Sequence, residues 1–405
     1  MTDNKIINIT NDISWIGILD FDIKTFDIVM ETKFGTTYNS YFINADKKAI
    51  IETAKETFKE TYLNKIKQIV NPEEIEYIIL NHTEPDHSGS LKHLLKIATN
   101  ATVVGSGNAI RYLNDMVGFE FKSLMVKDGD SLSLGNKTLK FISAPNLHWP
   151  DSIYTYIEED NILFTCDSFG AHYCSEEIFD ADTNDYYESF KYYFDVILKP
   201  YSKFFLKAIE KISCLKISAI CPAHGPVLKN NCNKIVNLSK QYCEEYLKIT
   251  NPETKKVFIA YVSSYGFTKK MAELIAEGIK ENAKIEVNIL DIEKTGLDII
   301  DSHISQSCGL IIGCPTINQN ILLPVYSLFA VINPIRDRGK LAAAFGSYGW
   351  SGEGVKIIED TLSNLKLNVI RESMNEKFYP YNSDKFRSFG KNFGEKIVQS
   401  FNIQV

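Results

Sequence analysis

No two of the eight cysteines stand in a C-x-x-C pair, so zinc ribbons and iron sites built on that spacing are excluded. The eight are Cys166, Cys174, Cys214, Cys221, Cys232, Cys243, Cys308 and Cys314. In a long chain without paired spacing they are expected to be reduced and mostly buried. No apolar run approaches the roughly 20 residues that span a bilayer. The first ten residues, with Asp3, Asn4 and Lys5, lack the apolar core of a signal peptide. The expectation is a cytoplasmic protein with no membrane partner. Lys and Arg are dispersed and the net charge is -7, so nothing recruits nucleic acid. Internal repeats and low-complexity stretches are also missing.

What is present suits two domains: 405 residues, of which 44% are hydrophobic, enough for a core in each half. Residues 13–23, 36–43 and 48–51 read as strands, and 54–69 as an amphipathic helix. Residues 75–80 form a buried strand that runs into a polar loop, 81–87, after which Ser88 is expected to cap a helix to about Ile97. Residues 123–165 are mostly strand, broken by Asp-Gly-Asp and Gly-Asn turns. A long helix is expected over 188–212 with a kink at Pro200, then a short strand over 217–221. Residues 249–255 read as a linker, placing the boundary near 252. Beyond it strands over 256–262, 285–290, 309–312, 341–345 and 367–370 alternate with helices, the pattern of a doubly wound parallel sheet.

The chemistry-bearing stretch of the first half is His82-Thr83-Glu84-Pro85-Asp86-His87, with four metal-ligating residue types in six positions after a buried strand. A polar loop with helix-capping acids is the bland reading. It leaves unexplained why two of only seven histidines fall there beside two acids. His148, Asp167 and His224 each lie just past a strand-like run and are the remaining candidates. This order resembles the metallo-β-lactamase superfamily, whose usual motif is H-x-H-x-D-H. The departure is Glu84, where a zinc hydrolase would carry histidine. A carboxylate is a harder, anionic ligand that suits redox-active iron, whereas zinc has no redox chemistry. The H-x-E-x-D-H form resembles the flavodiiron proteins, also called A-type flavoproteins. That resemblance implies His82, Glu84 and His148 on one iron, Asp86, His87 and His224 on the other, and Asp167 bridging. His87 is the member whose equivalent turns away in some relatives. His172 and either Tyr192 or Tyr193 are candidates for supporting catalysis by steering a proton or donating to a bound oxygen species, with Tyr193 preferred. His93 and His303 are given no role.

In the second half the first strand ends in Ser263-Ser264-Tyr265-Gly266-Phe267-Thr268 before a helix. Hydroxyls and glycine at a helix N-terminus suit a phosphate, and without a P-loop lysine a monophosphate. Pro315-Thr316-Ile317-Asn318 and Ser347-Tyr348-Gly349-Trp350 follow later strands, where open α/β sheets bind ligands. Tyr348 and Trp350 are expected to pack on a flat ring; the alternative is that Trp350 packs inside the core. The loop set resembles flavodoxin, and S-x-Y-G-x-T resembles the flavodiiron proteins in particular. Both resemblances occur in the family's order and cover nearly the whole chain.

They imply an N-terminal metallo-β-lactamase-like αββα sandwich over 1–250 and a C-terminal flavodoxin-like doubly wound sheet over 256–405, the minimal two-domain class. They also imply two non-haem irons and FMN. Two irons giving one electron each and a reduced FMN giving two make four, enough to take O2 to water; two suffice for NO to N2O. Family practice implies a head-to-tail homodimer, or a tetramer, with rubredoxin as donor or reduced F420 in its place. Competing expectations are a zinc hydrolase joined to a ligand-free flavodoxin-like module, and a non-enzymatic O2 or NO sensor.

Overall fold

The computed structural model describes residues 5–27, 30–180, 182–250, 254–281 and 285–402. The expected boundary at 252 and the start of the N-terminal stretch lie outside the described residues. The chain forms two compact units, Met1–Tyr246 and Leu247–Val405.

The first unit is built on two sheets. One has seven strands in the order Ile7–Asn8, Ile13–Trp15, Tyr41–Ile43, Lys48–Ile51, Ile75–Ile79, Thr102–Ser106 and Ser123–Val126. The other has five: Ser131–Ser133, Thr138–Ser143, Ile153–Ile157, Ile162–Cys166 and Ala219–Pro222. Side chains alternate across each strand. Ala49 and Ile51 therefore meet Phe141, Ile153 and Phe164 of the facing sheet. Ile50 and Val103 point outward to the helices Lys59–Ile69 and Gly107–Val117. Leu163 and Ile220 do the same toward the helices Asn184–Tyr193, Ser202–Ile212 and Cys232–Thr250. This is an αββα sandwich.

Several local expectations are corrected. The stretch 13–23 breaks into Ile13–Trp15 and Ile18–Asp20, and 36–43 into Thr36–Tyr38 and Tyr41–Ile43. The second break frees Asn39, whose side chain donates to the carbonyls of Pro222 and Gly225 at 2.9 and 2.8 Å. The helix expected from Ala54 begins at Lys59, after a 3-10 turn over Glu56–Phe58. Ser88 ends a one-turn helix, Pro85–Ser88, instead of starting one. Its hydroxyl bonds back to the carbonyls of Thr83 and Glu84. The long helix starts at Asn184 and passes through a π turn at Phe194–Leu198 and a 3-10 turn holding Pro200 before Ser202–Ile212. Ile249 and Thr250, read as linker, are helical, because the stripe of Ile235, Ser239, Cys243 and Tyr246 keeps that helix packed.

The second unit is a five-stranded parallel sheet ordered Ile285–Asp291, Lys255–Tyr261, Gly309–Gly313, Leu341–Tyr348 and Asn368–Lys377. In chain order that is 2-1-3-4-5, whose topological switch lies between the first and third strands. Helices Leu297–Gln306, Leu323–Val331 and Glu353–Asn364 cover one face. Phe267–Lys280 and Ser383–Asn402 cover the other. These last two touch backbone to backbone. A Cβ at Gly278 would fall on the carbonyl of Arg387, and one at Gly390 on that of Ile275. Gly278→Val is therefore expected to destabilise this unit by about 3 kcal/mol, the upper range for overpacking. Denaturant unfolding followed by circular dichroism checks it. Among the described residues no helix is long and apolar enough to cross a membrane.

Candidate metal and flavin sites

The metal-site candidates sit at strand ends of the αββα unit, and cross-bonds fix their loops. Asn81 joins the sheets: its carbonyl accepts from Ile153 N at 2.9 Å, and its side-chain oxygen from Thr155 Oγ1 at 2.6 Å. The His87 carbonyl accepts from Thr53 N at 2.8 Å and from Thr53 Oγ1 at 2.6 Å. Asp167 sits in a turn whose neighbours Cys166 and Phe169 have positive φ, +49° and +67°. Such strain concentrates at functional sites.

All seven candidates converge. His148 Nε2 is 2.9 Å from Glu84 Oε2, and His82 Nε2 is 3.4 Å from the same oxygen. His224 Nε2 and His87 Nε2 lie 2.9 and 3.3 Å from Asp86 Oδ2. Asp167 reaches both groups. Its Oδ1 is 3.2 Å from His87 and 3.7 Å from His224; its Oδ2 is 3.6 Å from His82 and 3.8 Å from His148. Ligand atoms of His82, Glu84, His87 and Asp167 lie within 4.8 Å of one another, as do those of Asp86, His87 and His224. The His87 ring thus faces inward.

Asp86 Oδ1 and Oδ2, His82 Nε2, His87 Nε2 and Asp167 Oδ2 are buried without a hydrogen bond, though several have close neighbours. Buried polar atoms left without partners cost free energy unless a cation supplies the partner. Three carboxylates and four imidazoles would leave two divalent ions nearly neutralised. The residues fit a pair of metal ions. Burial alone would depress the His87 imidazole, but the charges of Asp86 and Asp167 carry it up to about 10. Burial opposes ionisation of Asp167, yet His87 and His82 hold its carboxyl well below the usual range.

The supporting candidates separate cleanly. Tyr193 is buried and its hydroxyl donates to Asp167 Oδ1 at 3.1 Å, whereas Tyr192 is 38% exposed. His172 is buried, its Nδ1 2.9 Å from Thr36 Oγ1 and its Nε2 without a hydrogen bond. Burial, then the charge of His224, pushes its pKa down to about 3, so it is neutral. His93 pairs with Glu56 at 2.8 Å, apart from the seven.

Sequence reasoning missed Asp151, Glu52 and Thr37. Asp151 accepts from His82 Nδ1 at 3.1 Å. Glu52 accepts from Asn81 N at 2.9 Å, and burial pushes its carboxyl up to about 8. The Thr37 carbonyl accepts from His224 Nδ1 at 2.6 Å. An acid directly after the buried run Ala49-Ile50-Ile51 was the one available signal for Glu52.

In the second unit two of the candidate loops follow the first and third strands at their carboxyl ends, and the stretch from Ser347 to Trp350 begins within the fourth strand, of which Ser347 and Tyr348 are the last two residues. Gly266 takes φ +81° immediately before the helix Phe267–Lys280, and Ser263 Oγ accepts from Lys269 N at 3.2 Å. Thr268 Oγ1 lies 2.9 Å from Ser347 Oγ, and Thr316 N donates to the Ser347 carbonyl at 2.8 Å, tying the loops together. Asn318 has φ +53°, and Ile317 N donates to the Asn320 carbonyl. Ser264 is exposed, Gly349 and Tyr348 are half-buried, and Tyr348 packs beside Gly352. Pro315 follows the buried Cys314. Trp350 is 75% exposed, so it does not pack inside; Tyr265 is 82% exposed. Large exposed rings beside hydroxyls at a helix start fit a flat cofactor with a phosphate.

Residues 36–225 match the ODP family beta lactamase model and residues 259–383 the flavodoxin model. The flavo-diiron protein FprA2 of Clostridium acetobutylicum is 37% identical over 402 residues, covering 97% of this chain and 99% of that one. The chain belongs to the flavodiiron family. The type A flavoprotein fprA of Rhodobacter capsulatus is 34% identical over 95% of this chain and 90% of its own. Among solved structures, the flavodiiron protein of Giardia intestinalis aligns with a TM-score of 0.63 at 28% identity, covering 98% and 97% of the two chains. The rubredoxin oxygen:oxidoreductase of Desulfovibrio gigas aligns at 0.65 and 26%, covering 98% and 100%. Flavodiiron proteins are oxidoreductases carrying FMN in the flavodoxin-like domain and a non-haem diiron site in the lactamase-like one. Both donor sets here fit those groups.

Proposed function

We propose that the chain reduces O2 to two waters, consuming four electrons and four protons, with rubredoxin as donor. Reduction of two NO to N2O and water, with two electrons and two protons, is the second reading, because the same seven side chains serve either substrate. The observation that carries the proposal is Glu84, a carboxylate 2.9 Å from His148 where a hydrolase would place an imidazole. The relative named as a rubredoxin oxygen:oxidoreductase favours O2 and rubredoxin. In this reading His82, Glu84 and His148 hold one iron, Asp86, His87 and His224 the other, and Asp167 both. When bound, the irons supply one electron each and reduced FMN two. Tyr193 holds its proton, since burial lifts its hydroxyl well above the phenol range, and donates to the Asp167 carboxylate. The neutral His172 packs against the ring of Phe26, 4.4 Å away, and against the His224 ring at 5.3 Å.

The test is amperometric. Protein purified without air is reduced through rubredoxin and its reductase, and O2 and NO consumption are recorded side by side. Fast O2 loss without peroxide supports the first reading; fast NO loss with slow O2 loss supports the second. A colourless protein with about two zinc per chain would replace both with a hydrolase, and single gas binding without turnover would indicate a sensor. A head-to-tail homodimer belongs to the proposal, supported by the exposed rings of Trp350, Tyr265 and Tyr381 around the flavin loops. A strictly monomeric, fully active protein in sedimentation would remove it.

Trp350→Ala is expected to weaken FMN binding about tenfold, the worth of about 1.4 kcal/mol of ring contact. Because this side chain is 75% exposed, the melting temperature of the apoprotein should not move. Flavin fluorescence titration and calorimetry check the two halves of the statement.

A further inference from the structure

His82 and His224 are held from behind in chemically different ways. The ring nitrogen of His224 that faces away from the site donates to a neutral backbone carbonyl, that of Thr37, at 2.6 Å. The corresponding nitrogen of His82 meets a carboxylate: Nδ1 lies 3.1 and 3.2 Å from the two oxygens of Asp151. Asp151 is fully buried and accepts two further hydrogen bonds, from Thr83 N at 2.9 Å and Thr83 Oγ1 at 2.7 Å. All of its partners are donors, so the carboxylate accepts throughout and His82 must carry its proton on Nδ1. That leaves the Nε2 lone pair facing Glu84 and Asp167. A carboxylate behind a ligating imidazole fixes its tautomer and raises its basicity more than a carbonyl does.

We propose that Asp151 is a positioning residue that makes the two metal positions unequal, strengthening the one served by His82 over the one served by His224. The inference rests on the diiron reading of this site. It concerns no new ligand, since Asp151 acts through His82. Asp151 also anchors the loop through Thr83, and a purely structural role must be separated from the electronic one. Thr83→Val removes the hydroxyl contact to Asp151 and leaves the Asp151–His82 pair in place. Asp151→Asn keeps a side chain of the same size and removes the charge.

The experiment loads full-length wild type, Asp151→Asn and Thr83→Val with 57Fe(II) under anaerobic conditions. Iron per chain is then followed during titration with a ferrous chelator, together with Mössbauer spectra. In Asp151→Asn one of the two irons should be lost at a chelator concentration about ten- to hundredfold lower, with one quadrupole doublet changed and the other kept. Thr83→Val should retain both irons near the wild-type midpoint. Parallel loss of both irons in Asp151→Asn, equal effects of the two variants, or an unchanged titration would each overturn the inference. Wild-type protein that takes up no iron would instead overturn the diiron reading beneath it.

Discussion

Asp167→Ala is expected to lower turnover of O2 or NO more than about a hundredfold and to abolish complete four-electron reduction. Loss of a group that merely supports one ligand costs about ten- to hundredfold, and Asp167 does more than support. Its two oxygens face different histidine pairs, Oδ1 toward His87 and His224 and Oδ2 toward His82 and His148. Glu84 and Asp86 each approach the histidines of one group. The substitution also removes the acceptor of the Tyr193 hydroxyl, leaving a buried phenol without that bond. Iron analysis, with O2 and peroxide measured together, checks the outcome. Wild-type stoichiometry at the wild-type rate would show that Asp167 does not join the two positions.

How far the sequence reaches depends on whether a signal is local. The stretch from His82 to His87 is legible because its members are contiguous at the end of a buried strand. His148, Asp167 and His224 are legible because each follows an apolar run, and the structure brings both histidines within 4 Å of the Asp167 carboxylate. The residues behind them are not legible. Asp151 meets His82 only because Ile153 N binds the Asn81 carbonyl across the two sheets. Asn39 reaches Pro222 and Gly225 across 183 and 186 positions, through a break in a strand that composition does not announce. The choice between Tyr192 and Tyr193 is a matter of helix phase: one residue rotates the side chain by about 100°, and the helix must be packed before its inward face is known. The αββα layering follows from strand alternation. The one-turn helix at Pro85–Ser88 does not, because it depends on the Ser88 hydroxyl bonding back to the carbonyls of Thr83 and Glu84.

Glu84→His is expected to shift the metal bound from iron toward zinc and to cut reductase turnover about tenfold or more. Glu84 supplies one of three carboxylates among the seven converging side chains, the others being Asp86 and Asp167. Replacing it with a neutral imidazole removes one negative charge from the position shared with His82 and His148, whose Nε2 atoms lie 3.4 and 2.9 Å from its Oε2. An additional anionic oxygen favours a metal that cycles to a higher charge; an additional nitrogen favours zinc, which ordinarily outcompetes Fe(II) at nitrogen-rich sites. The backbone should tolerate the change. Glu84 stands at the N-cap of the short helix Pro85–Ser88 with φ -54°, and its side chain makes no capping bond there. Its side chain is also 16% exposed, the most open of the three carboxylates, so an imidazole has room to enter. The measurement is metal content per chain after reconstitution with equimolar Fe(II) and Zn(II), beside O2 and NO turnover. Unchanged iron content with unchanged turnover would mean that the carboxylate at this position does not select the metal, and the argument from Glu84 to redox chemistry would fall with it.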